Sequence, residues 1–178
     1  MARILLIGYG NPGRLDDGLG PALAEEIEKL RLPEVCVESG YQLTVEDSHL
    51  VAQHEAVIFC DAAIGGEAPF FLRRLEASYD PSFTSHHLDA ASVLGLARNL
   101  FKVSPPGWLL GIPGYAFNEF GEGLSPAAQV NLRAAVAFLA GVLANGDLAG
   151  LDARATPGSV PGLARPYSLA AAPAQSLL

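Results

Sequence analysis

The chain has 178 residues, 50% hydrophobic and 17% charged, with eleven basic against nineteen acidic side chains and a net charge of −8. That length accommodates one domain with a real core, and the negative charge works against wrapping nucleic acid or adhering to anionic lipid, leaving proteins and metals as partners. Cys36 and Cys60, the two cysteines, lie singly in apolar runs with no CxxC pairing, which points to buried free thiols rather than a disulfide or zinc site.

Met1 to Gly10 lacks the basic flank and long apolar stretch of a secretory leader, and no apolar run is expected to reach the roughly 18 residues that span a bilayer. A cytoplasmic protein is the resulting expectation. Arg3 to Gly8 contains the unbroken apolar run Ile4, Leu5, Leu6 and Ile7, which suits a strand covered on both faces of a parallel sheet. Gly8, Gly10 and Gly13 then form a turn with Pro12, and Leu19, Leu23, Ile27 and Leu30 share one face of a following helix. Strand, glycine turn and helix invite a dinucleotide reading, because Gly8-x-Gly10-x-x-Gly13 matches GxGxxG and Glu38 is available for a ribose. Against it, Asp16 and Asp17 put two negative charges where a pyrophosphate would sit, with Arg14 the lone nearby base.

Further on, Glu34 to Ser39 alternates as a second strand ended by Gly40, and Thr44 with Asp47 resembles a capping box opening a helix over 44 to 53. His49 and His54 miss the i, i+4 spacing of a metal pair and read as solvated or partly packed side chains. Ala56 to Ala63 is a central parallel strand with Asp61 at its carboxyl end, where open α/β sheets place ligands; a turn-capping role for Asp61 is the competing account. Phe70 to Glu76 is expected to be another strand. His86 and His87 then lead into a helix on which Val93, Leu94, Ala97, Leu100 and Phe101 share a face, and in isolation either histidine reads as a solvated residue before that helix.

Trp108 to Ile112 is a last buried strand. Ser125 caps a largely buried helix with Pro126 at its first position, ending at Asn145-Gly146. From Asp147 to Leu178, alanine, proline and glycine dominate with little periodicity, so a domain over 1–146 followed by a flexible extension over 147–178 is expected. Alternating strands and helices imply a three-layer α/β/α sandwich around a mostly parallel sheet.

The stretch GYGNPGRLDDGLG followed by a helix resembles the amino-terminal motif of the hydrogenase maturation endopeptidases. AVIFCDAA is similar to that family's apolar strand ending in Asp-Ala, TSHHLDAASVLGLAR to its histidine before a helix, and GIPGYAFNEFGEGLSP to its link into the last helix. The resemblance spans roughly residues 3 to 144 and implies a mixed sheet of about five strands. It implies an endopeptidase that removes a carboxy-terminal extension from the large-subunit precursor of nickel-iron hydrogenases, with nickel carried by that precursor as the recognition element. Residue by residue, the metal-contacting acid falls on Asp17, the strand-end aspartate on Asp61 and the histidine on His86, with His87 one position out of register. Two carboxylates and an imidazole make a mixed oxygen and nitrogen donor set suited to a divalent ion of nickel size. Some family members have Glu where this chain has Asp17. A plainer account of Asp16 and Asp17 remains, in which they cap a helix and complement its dipole. Whether a carboxylate or the metal activates the attacking water stays open, since both leave the same sequence signature.

Overall fold

The computed structural model describes residues 3–80 and 88–157. Strand β1 (Ile4–Tyr9) is followed by a 3-10 turn at Leu15–Gly18 and helix α1 (Leu19–Lys29), then β2 (Val35–Gly40), α2 (Asp47–Ala52), β3 (Ala56–Ile64) and β4 (Phe71–Arg74). After these come α3 (Ala90–Phe101), β5 (Gly107–Gly114), α4 (Pro126–Ala144), α5 (Leu148–Arg154) and the two-residue β6 (Thr156–Pro157). The strands form one sheet in the order β2-β1-β3-β5-β4-β6. β1 pairs in parallel with β2 and β3, and β3 with β5, whereas β4 runs antiparallel to β5. The sheet is therefore mixed and mostly parallel, as expected.

Alternation along the strands divides the core between two faces. Ile4, Leu6, Ile58, Cys60, Trp108 and Leu110 pack against Leu19, Leu23 and Ile27 of α1 and Ala128, Ala135 and Leu139 of α4. On the other side Leu5, Ile7, Tyr9, Val57, Phe59 and Leu109 pack with Val51 of α2 and with Val93, Leu94 and Ala97 of α3. This makes three layers, with α1 and α4 on one side and α2 and α3 on the other. Gly8 lets α1 sit directly on β1: a Cβ there would lie 2.2 Å from the Gly20 carbonyl oxygen and 2.7 Å from Ala24 Cβ.

Several expectations shift. α3 is helical throughout the expected stretch, but Leu100 and Phe101 are exposed, and the buried stripe is Ala90, Val93, Leu94, Leu96 and Ala97. Only half of the capping box forms: Asp47 Oδ2 accepts from the Thr44 amide at 2.7 Å, Glu46 occupies the cap position without a side-chain bond, and the helix starts at Asp47 rather than 44. α4 is capped as expected, the Ala128 amide donating to Ser125 Oγ at 3.3 Å. With 19 residues and an 18-residue stretch of mean hydropathy 1.5, it is the one helix among the described residues long and apolar enough to cross a membrane, contrary to expectation. Here it is a packing helix, with Ala128, Ala135, Leu139 and Leu143 turned into the core.

The expected end of the domain at 146 is also corrected. α5 buries Leu151 completely, Trp108 Nε1 donates to Asp152 Oδ1 at 3.0 Å, and β6 pairs with β4. The packed chain thus continues to Pro157, and residues 158–178 of the expected extension lie outside the described residues. Composition missed this because Leu151, the partly buried Leu148 and Asp152 make the contacts inside an alanine-rich segment.

Candidate functional site

Parallel strands leaving β1 in opposite lateral directions, to β2 on one side and β3 on the other, create a crevice at their carboxyl ends. The segments that carry both candidate acids border this end of the sheet. Asp17 lies in the turn that follows β1, and Asp61 sits one residue beyond Cys60, the β3 residue paired with Gly8. A Cβ on Gly20 would lie 2.3 Å from the Tyr9 carbonyl oxygen and 2.5 Å from that of Cys60. The start of α1 therefore rests on the ends of both strands and sets the two acid-bearing segments side by side.

Adjacent in sequence, Asp16 and Asp17 differ completely in surroundings. Asp16 is fully buried. Its Oδ2 accepts from the amides of Tyr115 at 2.7 Å and Ala116 at 3.0 Å and from the Ser125 hydroxyl at 2.7 Å, while Oδ1 accepts from the Ser125 amide at 2.7 Å. Burial pushes this carboxyl up, but the three amides and the hydroxyl outweigh it and hold it below the usual carboxylate range. Asp17 is only partly buried and its Oδ2 accepts from the Asn11 amide at 2.9 Å. Neither acid caps α1, whose cap residue is Gly18 with no side-chain bond, although both lie in the 3-10 turn that leads into it.

The Asp16 side chain ties the turn after β1 to the 115–125 segment. The 115–125 segment is also bonded to the turn through its backbone, with Leu15 donating to Gly121 at 3.0 Å, Asp16 to Ala116 at 3.0 Å and Gly121 to Gly13 at 2.9 Å. Asn131 on α4 donates to the Pro113 carbonyl at 2.9 Å and to the Tyr115 hydroxyl at 3.0 Å, holding the end of β5. Asn11 Oδ1 accepts from the Gly13 amide at 2.9 Å, which fixes the glycine turn. Sequence reading singled out Asp17 but missed Asn11, Tyr115 and Asn131 as supports; an asparagine inside a glycine turn was the one available signal.

Asp61 follows Phe59 by two positions, so strand alternation directs it to the α2/α3 face. Leu88, buried at 3% exposure, belongs to the core of that same face and opens the approach to α3. His86 and His87 themselves lie outside the described residues. Among the described residues no group of three His, Cys, Asp or Glu side chains forms a metal site. His49 is exposed and stacks on Phe101 with ring centroids 5.3 Å apart, and His54 Nδ1 lies 2.7 Å from the Leu50 carbonyl oxygen, which matches two partly packed histidines.

The dinucleotide reading loses its physical basis here. Gly8 is occupied by packing against α1, and a Cβ on Gly10, where φ is +143°, would lie 2.0 Å from the Asp17 carbonyl oxygen. These glycines admit the chain's own backbone rather than a pyrophosphate. Cys60 is fully buried and burial pushes its thiol far up, and Cys36 is raised by burial and by Glu38, so neither offers a thiolate near neutral pH.

No family model matches the chain, and no curated protein of similar sequence was found. Solved structures do match. A [NiFe] hydrogenase maturation protease HycI from Thermococcus kodakarensis KOD1 superposes with a TM-score of 0.64 at 23% identity, over 80% of this chain and 92% of that one. The maturating endopeptidase HybD from E. coli gives 0.59 at 22% identity, over 82% and 94%. A hydrogenase 2 maturation peptidase from Thaumarchaeota archaeon SCGC_AB-539-E09 gives 0.58 at 23% identity, over 79% and 97%. The chain has the fold of the solved hydrogenase maturation proteases, over nearly their whole length.

Proposed function

We propose that this chain is an endopeptidase that removes a carboxy-terminal extension from a nickel-loaded large-subunit precursor of a nickel-iron hydrogenase. The observation that carries the reading is that Asp17 and Asp61 lie on the segments beside the topological switch between β1 and β3, in a fold shared with solved hydrogenase maturation proteases. His86 completes the donor set in this proposal, on the strength of its motif and of the buried Leu88 two residues later.

In this reading nickel arrives as part of the substrate and is bound transiently. Carboxylate oxygens and an imidazole nitrogen suit such an ion, and their convergence would bring the scissile peptide against the crevice. Hydrolysis then requires water to attack the peptide carbonyl and a proton to reach the leaving amine. A carboxylate acting as general base and nickel acting as Lewis acid both fit these donors. The rigid seat for Asp17, built by Asn11, Asp16 and the 115–125 segment, keeps its carboxylate positioned before the substrate arrives. The test is incubation of purified precursor with the protein, followed by mass measurement. Loss of a carboxy-terminal peptide from the nickel-loaded form supports the reading, and an unchanged mass with every precursor tried overturns it.

A further inference from the structure

Resting on the function proposed above, we infer that the carboxyl edge of the sheet is a docking surface for a basic, partly apolar segment of the precursor polypeptide. Large apolar side chains are normally withdrawn from water, yet several stand out along this edge. Tyr41, immediately after β2, is 74% exposed; Ile64, ending β3, 46%; Tyr115, immediately after β5, 58%; and Phe120 in the following loop, 83%. Sheet register sets them in a row across the crevice. Gly40 pairs with Tyr9 and Ile64 with Gly114, so Tyr41 and the Ile64–Tyr115 pair flank the turn that carries Asp17. Tyrosine and phenylalanine offer large contact area at low entropic cost, which suits a protein partner.

Charge identifies the kind of segment. Glu46, Glu67, Glu119 and Glu122 are exposed in the loops on this edge, and among the described residues none of these four glutamates is in an ion pair. Among the described residues of these loops Arg14 is the basic one, and its guanidinium lies over the Phe120 ring at 4.7 Å. At the opposite edge the acids Glu34 and Glu55 do have a basic partner, Arg3 lying 3.7 Å from Glu34 and 2.8 Å from Glu55. The carboxyl edge thus presents unbalanced negative charge between aromatic rings, complementary to Lys or Arg side chains set among apolar ones. The backbone bonds between the turn and the 115–125 segment fix the loop that carries Tyr115 and Phe120 beside the turn that carries Asp17.

The test uses the full chain and a nickel-loaded large-subunit precursor, with KM and kcat read from the appearance of the cleaved mass. Phe120→Ala should raise KM by about tenfold or more while kcat holds. Glu119→Gln combined with Glu122→Gln should raise KM severalfold and flatten its rise with added salt, a signature that lost folding would not give. Glu55→Gln, at the opposite edge, should leave both constants unchanged. Normal KM and normal salt dependence in both carboxyl-edge variants would overturn the docking surface while leaving the protease reading intact. A wild-type protein that neither binds nor cleaves the precursor would remove both.

Discussion

Replacing Asp16 with alanine removes the acceptor that three backbone amides and one hydroxyl share inside the protein. The serine hydroxyl can rotate to another partner, but the amides of Tyr115, Ala116 and Ser125 cannot. A stranded buried donor costs about 1–3 kcal/mol, and the 115–125 loop can recover part of this by moving toward water, so about 3–5 kcal/mol is expected. For a chain of this size about 2–4 °C is lost per kcal/mol, which puts the fall in Tm at about 6–20 °C. Asp16→Asn keeps one acceptor oxygen but turns an amide donor toward these donors, and should cost about 2–3 kcal/mol. The pH dependence has a definite sign. Because the folded carboxyl is held below its unfolded value of about 3.9, its stabilisation is complete above that value and is lost as pH falls through the lower folded value. Thermal melts of wild type and both variants from neutral pH into the acid range test this. Asp16→Ala within 2 °C of wild type, as an order of magnitude well under the expected loss, or an Asp16→Asn profile as steep in acid as wild type, would refute the reasoning.

Truncation after Gly146 should destabilise the domain by about 3 kcal/mol or more, since it exposes the core that Leu151 covers and leaves Trp108 Nε1 without Asp152; urea unfolding reads this directly. Gly8→Ala should prevent α1 from seating on β1, because the added carbon meets backbone rather than a movable side chain, and circular dichroism with a melt will show loss of the cooperative fold. Addition of NAD, NADP or FAD should leave Tm unchanged, whereas a ligand at a hundred times its dissociation constant would add about 2.7 kcal/mol. Cys60 should resist alkylation at neutral pH in the native protein and react only after unfolding, as mass measurement will show.

Much of the sheet was legible in the sequence because buried parallel strands leave unbroken apolar runs, as in Ile4 to Ile7 and Ala56 to Cys60. The antiparallel direction of β4 was not, since Phe71 and Leu72 alternate identically either way. Asp61 was legible as an acid on the third strand, although β3 runs on three residues past it to Ile64 and pairs Asp61 with Gly111. Asp16 and Asp17 were legible as a pair but not as two different residues, because the donors that bury Asp16 come from positions 99 to 109 residues away. The same long-range effect hid α5, whose attachment rests on Leu151 and on an Asp152–Trp108 bond across 44 positions. Composition sums a segment and loses the single residues that anchor it.

The central claim is that Asp17 and Asp61 act together on a nickel-bearing precursor. Asp17→Asn keeps the size of the side chain and removes its charge, at the cost of one accepted bond from the Asn11 amide, so the protein should melt close to wild type. The decisive measurement is the precursor's mass after incubation with wild type, Asp17→Asn and Asp61→Asn, each with nickel-loaded and nickel-free precursor. The account predicts loss of the carboxy-terminal extension only with wild type and only from the nickel-loaded form. Normal processing by either folded variant, or equal cleavage of the nickel-free precursor, would contradict it.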